Sequence, residues 1–156
     1  MGIINFQGKR TNQQEKESVP ILVSDYMSKN LITFKEDQSI EDVIDSLIKN
    51  KISGGPVVND KNELVGIISE GDCIKQISES RYHNLPIDKN NTVSKAMITQ
   101  VETIDGDMNI FDAANKFLES KRRRFPITEN GRLVGLISQK DVLKAAMKLR
   151  GNTWNS

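Results

Sequence analysis

Lys121-Arg122-Arg123-Arg124-Phe125-Pro126-Ile127, a polar turn, and then Leu133-Val134-Gly135-Leu136-Ile137-Ser138-Gln139-Lys140-Asp141 form the stretch on which the reading of this chain turns. It offers cations at one end and a serine, a lysine and an aspartate at the other. A near copy lies upstream, in Lys51-Ile52-Ser53-Gly54-Gly55-Pro56-Val57 followed by Gly66-Ile67-Ile68-Ser69-Glu70-Gly71-Asp72. Pro126 stands 70 positions after Pro56, and Asp141 stands 69 after Asp72. One unit has been used twice.

The surroundings repeat in the same order. Val93-Ser94-Lys95-Ala96-Met97 matches Val23-Ser24-Asp25-Tyr26-Met27, and Thr103 matches Thr33 at the end of the run Leu31 to Phe34, which reads as a strand. Ser39-Ile40-Glu41-Asp42 and Asn109-Ile110-Phe111-Asp112 each open a helix with a capping side chain and an acidic residue three positions on. Ile40, Val43, Ile44, Leu47 and Ile48 recur at helical spacing, as do Ile110, Ala113, Ala114, Phe117 and Leu118, which predicts one buried face on each helix. The pairs Pro56–Val58 with Leu64–Ile68, and Phe125–Ile127 with Leu133–Ile137, read as hairpins. Helices follow from Ser69 to about Ser80 and from Ser138 to about Leu149.

Each repeat therefore predicts strand–helix–strand–strand–helix. Neither half buries much surface alone at this size, so the fold class expected is α/β (α+β), two pseudo-symmetric motifs packed sheet to sheet. The expected division is an N-terminal arm (1–19), a first motif (20–80), a linker (81–91) around Pro86, a second motif (92–149) and a tail (150–156). The arm is polar apart from Ile3, Ile4 and Phe6, which offer apolar side chains to another surface.

Composition narrows the function. The 156 residues carry 22 Lys and Arg against 21 Asp and Glu, so no global field draws the chain to nucleic acid or membrane, and any anion site must be local. The single cysteine, Cys73, excludes an internal disulfide and a multi-thiolate zinc site, and reads as core filler. The single histidine, His83, falls in a polar surface stretch. The N-terminus lacks a secretory pattern, Phe6 stands where a myristoylation signal needs Ser or Thr, and no apolar run approaches the ~20 residues of a membrane helix. A cytoplasmic location is the expectation. Catalysis finds little support: in Gly66-Ile67-Ile68-Ser69 the glycine stands three residues before the serine rather than two, unlike a nucleophile elbow. No phosphate-loop lysine pattern or metal-ligand cluster is present in the sequence.

The ordered set resembles a tandem pair of cystathionine-β-synthase (CBS) domains, a Bateman module, over about residues 20 to 149. It is carried by the Val-Ser-x-x-Met starts, Thr33 and Thr103, Ser53-Gly54-Gly55-Pro56 and Arg123-Arg124-Phe125-Pro126, and the Gly66–Asp72 and Gly135–Asp141 endings. The resemblance implies regulatory binding of adenosine-containing ligands, AMP, ADP or ATP, in clefts between the motifs. It also implies a homodimer, a regulated partner protein and no required cofactor. S-adenosylmethionine, a cyclic dinucleotide, or an empty structural dimerisation unit are the alternatives.

Ser138 and Asp141 open a helix, and two readings coexist. The serine caps, at about 1 kcal/mol, or the pair faces ligand, Asp141 holding a ribose diol and the helix N-terminus facing phosphate. Ser69 and Asp72 are their counterparts. Arg123 and Arg124 are a solvated charge run or a phosphate fork; strand alternation lets them point opposite ways. Lys140 adds a point charge. Thr33 and Thr103 are strand threonines or ligand neighbours. In the first repeat Ser53 and Gly54 replace arginines ahead of Pro56, and Glu70 opposes phosphate, so the second site, with Pro126 at its base, is expected to bind the nucleotide better.

Overall fold

The computed structural model describes residues 2–6, 21–82 and 91–153. The remainder of the arm, His83, Pro86 and the last three residues lie outside the described residues. The chain forms two units: unit 1 takes in Met1–Ile3 and Ile32–Val101, and unit 2 takes in Ile4–Leu31 and Glu102–Ser156. The elements of unit 1 are α2 (Ile40–Asn50), β2 (Gly54–Val58), β3 (Leu64–Ser69), α3 (Glu70–Tyr82) and α4 (Val93–Ala96); those of unit 2 are β1 (Ile4–Phe6), α1 (Val23–Tyr26), β4 (Glu102–Asp105), α5 (Ile110–Ser120), β5 (Arg124–Glu129), β6 (Arg132–Ser138) and α6 (Gln139–Thr153). The spatial units do not coincide with the sequence repeats: each contains the opening helix of the other repeat.

In unit 1, β2 and β3 pair antiparallel around the Asn59–Asn62 turn. The Asn59 side chain holds this turn by accepting from the N–H groups of Lys61 and Glu63, both at 2.9 Å. The expected strand at residues 31–34 shrinks to a single parallel bridge, Phe34 to Val57. Phe34 donates to the Pro56 carbonyl and accepts from Val58, both at 2.9 Å. Among the described residues no strand flanks it on the other side in the two-stranded sheet. Phe34, Ile40, Val43, Leu47, Val57, Ile68, Cys73 and Val93 make the core.

Unit 2 holds a four-stranded sheet in the order β1-β4-β5-β6. β4 pairs parallel with β5, β5 antiparallel with β6, and the arm supplies β1, parallel to β4 with Asn5 opposite Thr103. The apolar alternation of Ile4-Asn5-Phe6 is thus an edge strand. Asn130 and Gly131, both at positive φ, close the β5–β6 hairpin, as two-residue turns of this hand require. Phe117 and Phe125 meet in its core with ring centres 4.9 Å apart.

The helix starts follow the capping expected of them. Ser39 Oγ accepts from Asp42 N at 3.1 Å, and Asn109 Oδ1 from Phe111 N at 2.8 Å. Of the five-residue stripes, Ile40, Val43 and Leu47 are buried, as are Ile110, Ala113 and Phe117. Ile48 and Leu118 are instead 72% and 80% exposed. Eight residues on at 100° each carries the side chain well off the axis of Ile40, so the last member of each stripe turns away from the core.

The opening helices dock through a glycine. Ser28 exchanges two backbone hydrogen bonds with Leu136, at 2.8 and 3.0 Å, and Ile98 does the same with Ile67, at 2.8 and 2.9 Å. A Cβ on Gly135 would meet the Met27 side chain and lie 3.0 Å from the Ser28 carbonyl; one on Gly66 would lie 2.8 Å from the Ile98 carbonyl and from Met97 Sδ. Here a backbone carbonyl, which cannot rotate away, occupies the space. Gly66→Ala is expected to lower stability by about 1–3 kcal/mol, read as a reduced urea midpoint at unchanged slope.

Candidate functional site

The second-repeat site is assembled by the register of one hairpin. β5 and β6 place Arg124 opposite Ser138 and Pro126 opposite Leu136. Directly opposed residues and those two apart share a sheet face, so Arg124, Pro126 and Ser138 stand on one side. Both Pro126 and its counterpart Pro56 are buried within strands. Leu136 turns its N–H and carbonyl outward to Ser28, and Ile67 does so to Ile98. Each proline therefore faces a residue that asks no hydrogen bond of it, which is where a strand accepts proline.

Where β6 ends, α6 begins on a reciprocal cap. Asp141 Oδ2 accepts from Ser138 N at 2.8 Å and from Ser138 Oγ at 3.0 Å, while Ser138 Oγ accepts from Asp141 N at 3.2 Å. The first repeat repeats this in Ser69 and Asp72, at 2.9, 3.0 and 3.4 Å. The Arg123 carbonyl accepts from Gln139 N at 3.2 Å and the Ser53 carbonyl from Glu70 N at 2.8 Å. Strand start and helix start are thus locked to one another in both units. The capping role is occupied; Asp141 and Asp72 remain half-buried, and each keeps its second carboxylate oxygen clear of the cap.

Cations separate the two sites. Arg123, Arg124 and Lys140 are exposed around Ser138, while Arg122 is drawn aside by Glu102 at 3.4 Å. In unit 1, Gly54 stands opposite Ser69, Ser53 is exposed, and Glu70 opens α3. Burial, and then the charges of Asp72 and Glu70, push the Cys73 thiol up, which keeps it a poor nucleophile at neutral pH. Among the described residues no group of three His, Cys, Asp or Glu is placed to hold a metal ion, and no helix is long and apolar enough to cross a membrane.

The two threonines part company. Thr33 is exposed. Thr103 is fully buried, its hydroxyl 2.6 Å from Asn5 Oδ1 and 3.2 Å from the Ile4 carbonyl. Thr128 donates to the same Asn5 oxygen at 3.2 Å. Burial, and then the neighbouring Asp107 and Glu129 charges, push the Asp105 carboxyl above its ordinary value, and the nearby Asn5 side chain partly offsets the rise. Asn5 thus closes a polar niche of Thr103, Thr128 and Asp105, and with the arm in place Thr103 presents no hydroxyl to a ligand. The signal in the sequence was slight: one polar residue between Ile4 and Phe6.

The CBS domain family profile matches residues 23–79 and 93–148. A Methanocaldococcus jannaschii protein, MJ1225, is 30% identical over 163 residues, covering 99% of this chain; the chain spans 55% of that relative. The chloroplastic CBS domain-containing protein CBSX2 of Arabidopsis thaliana is 30% identical over 86% of this chain and 67% of its own length. The crystal structure of CBSX2 in complex with AMP superposes with a TM-score of 0.73, at 28% identity, over 83% of this chain and 98% of that one. The CBS domain pair of MJ0100, in complex with 5′-methylthioadenosine and S-adenosyl-L-methionine, gives 0.68 at 26% identity over 83% and 98%.

Asn5→Ala removes the Oδ1 acceptor shared by the Thr103 and Thr128 hydroxyls, leaving them the longer bonds to the Ile4 carbonyl and to one another, and is expected to cost about 1 kcal/mol in thermal or urea unfolding. It also removes the side chain that offsets the rise of Asp105, whose folded pKa already exceeds its unfolded one. Stability therefore falls as pH rises through the range just above the ordinary carboxylate value. The variant deepens that fall, so its deficit is larger at neutral pH than in acid, where Asp105 is protonated in both states.

Proposed function

From the premise that this chain belongs to the CBS domain family and carries two copies of the domain, we propose that it is a regulatory module that binds an adenosine-containing nucleotide of the AMP, ADP or ATP class at the second repeat. The observation that carries this is the register setting Arg124 beside the Ser138–Asp141 cap. In this reading the second Asp141 oxygen accepts from the ribose diol, and the Ser138 hydroxyl and helix start face the phosphate. Arg124 and Arg123 supply forked, charge-assisted bonds that suit phosphate oxygens, and Lys140 adds charge. Pro126 and the apolar sheet face support the base. AMP in CBSX2 and the adenosyl ligands of MJ0100 agree with this choice of ligand class, with S-adenosylmethionine as the alternative adenosyl group.

The first-repeat site has the Ser69–Asp72 pair with Ser53, Gly54, Pro56 and Thr33, but Glu70 in place of cations, and we assign it the weaker binding. The module acts as a homodimer and passes its signal to a partner protein. Ligand shifts that assembly only as far as it binds one arrangement better than another. No catalytic step is assigned to any of these residues. A second reading, an empty dimerisation scaffold, draws on the fact that Asp141 already serves as a cap.

Thermal unfolding against AMP, ADP, ATP and S-adenosylmethionine separates the readings. A ligand at about 100 times its Kd stabilises the fold by about 2.7 kcal/mol, while the scaffold reading expects no shift with any of them. In calorimetry Asp141→Ala is expected to weaken binding about 10- to 100-fold, the loss of a hydrogen bond to a charged group, with Asp72→Ala much less affected. Equal losses for the two variants would remove the assignment to the second repeat.

A further inference from the structure

We propose that Glu102 is a specificity-determining residue: by holding Arg122 out of the second-repeat phosphate subsite, it fits that subsite to a nucleoside monophosphate and against the triphosphate. The inference rests on the nucleotide reading above and narrows it to a ligand with one phosphate group.

Arg122 begins the run of three arginines and is held at both ends. Its carbonyl accepts from Gln139 Nε2 at 3.1 Å, and the next carbonyl, that of Arg123, accepts from Gln139 N at 3.2 Å. Its guanidinium is held by Glu102 at the start of β4, Nε to Oε2 at 3.4 Å. Among the described residues Arg123, Arg124 and Lys140 enter no ion pair. Arg122 alone of the arginines is committed. In the first repeat Glu102 and Arg122 correspond to Ile32 and Ile52, both packed against the core of unit 1. The same place is built there without charge, so the ion pair is not what the fold of the repeat requires.

Charge then selects the ligand. Arg123, Arg124 and Lys140 against Asp141 leave a surplus of about two positive charges around Ser138, and a phosphate monoester carries about −1.5 to −2 at neutral pH. One phosphate balances the subsite. A triphosphate brings more anion to the same cations and needs a further guanidinium. Arg122 is the nearest, because consecutive Cα atoms lie about 3.8 Å apart, less than the length of an arginine side chain. Recruiting it breaks the pair and leaves the Glu102 carboxylate beside the added phosphates, a like-charge contact that disfavours the longer ligand. The two side chains are 41% and 29% exposed. Such pairs are weak, so a preference of about 3- to 10-fold is expected, not exclusion.

The test is calorimetry on the full chain with AMP and ATP in the absence of divalent cations. Both positions are partly exposed, so native melting profiles are expected for the variants, and Glu102→Ala provides a second release of Arg122 beside Glu102→Gln. Wild type is expected to bind AMP about 3- to 10-fold tighter than ATP. Glu102→Gln is expected to raise ATP affinity by about that factor and to leave AMP within about twofold. Its ATP binding also weakens more steeply with added salt, since one more exposed cation meets phosphate. Combining Glu102→Gln with Arg122→Gln is expected to abolish the gain. An unchanged ATP affinity, an equal gain for AMP, a gain that survives the double substitution, or a wild type that prefers ATP overturns the role of Glu102 while the nucleotide reading stands. A wild type that binds neither nucleotide overturns both.

Discussion

The closest constraint in this structure is the approach of a methionine and a backbone carbonyl to a glycine in the closing strand of each hairpin. Gly66 and Gly135 leave room for the Ile98 and Ser28 backbones, and those backbones then take the outward hydrogen-bonding groups of Ile67 and Leu136. Buried N–H and carbonyl groups must be paired somewhere, and here the opening segment of the other repeat pairs them. The opposite residues, Pro56 and Pro126, are thereby placed where a missing N–H costs nothing. The register that follows brings Gly54 or Arg124 level with the serine that begins the next helix. Candidate site and fold are set by the same contact.

The repeat was legible because its signals are local. Ser39 and Asn109 cap the helices they precede, the prolines sit in the strands assigned to them, and Ser138 and Asp141 meet across one helical turn. What the chain did not disclose is long-range. The exchange of opening helices depends on which hairpin edge is free, and Val23–Met27 reads the same whichever edge it joins. The three-residue strand of the arm owes its place to Asn5 finding Thr103 and Thr128, nearly a hundred residues or more away. Helical periodicity gave the direction of burial but not its width, so Ile48 and Leu118 were drawn into a stripe that the core does not reach.

The Ser-x-x-Asp pair shows why the site was only half readable. The same hydrogen bonds, within a few tenths of an ångström, occur in both repeats. Their presence answers the needs of a helix start, whose first N–H groups lack partners, and would be kept with or without a ligand. Spacing alone cannot distinguish a cap from a cap that also binds. What distinguishes the repeats lies beside the pair, at the start of the preceding strand.

That difference is built into the backbone. A Cβ on Gly54 would lie 2.7 Å from the Ile68 carbonyl, and one on Gly55 would lie 2.9 Å from the Phe34 ring. Where unit 2 has Ile104 with Phe125, unit 1 has Phe34 with Gly55, so the bulky side chain has changed strands within an otherwise equivalent core. The Phe34 ring crowds position 55, while the backbone of β3 at Ile68 and Ser69 crowds position 54, so each position calls for glycine for its own reason. Unit 1 therefore has no room for a side chain where unit 2 carries Arg124, and a cation cannot be returned there by substitution without moving the strand. The difference between Gly54 and Arg124 thus lies in how closely the start of β2 runs against β3.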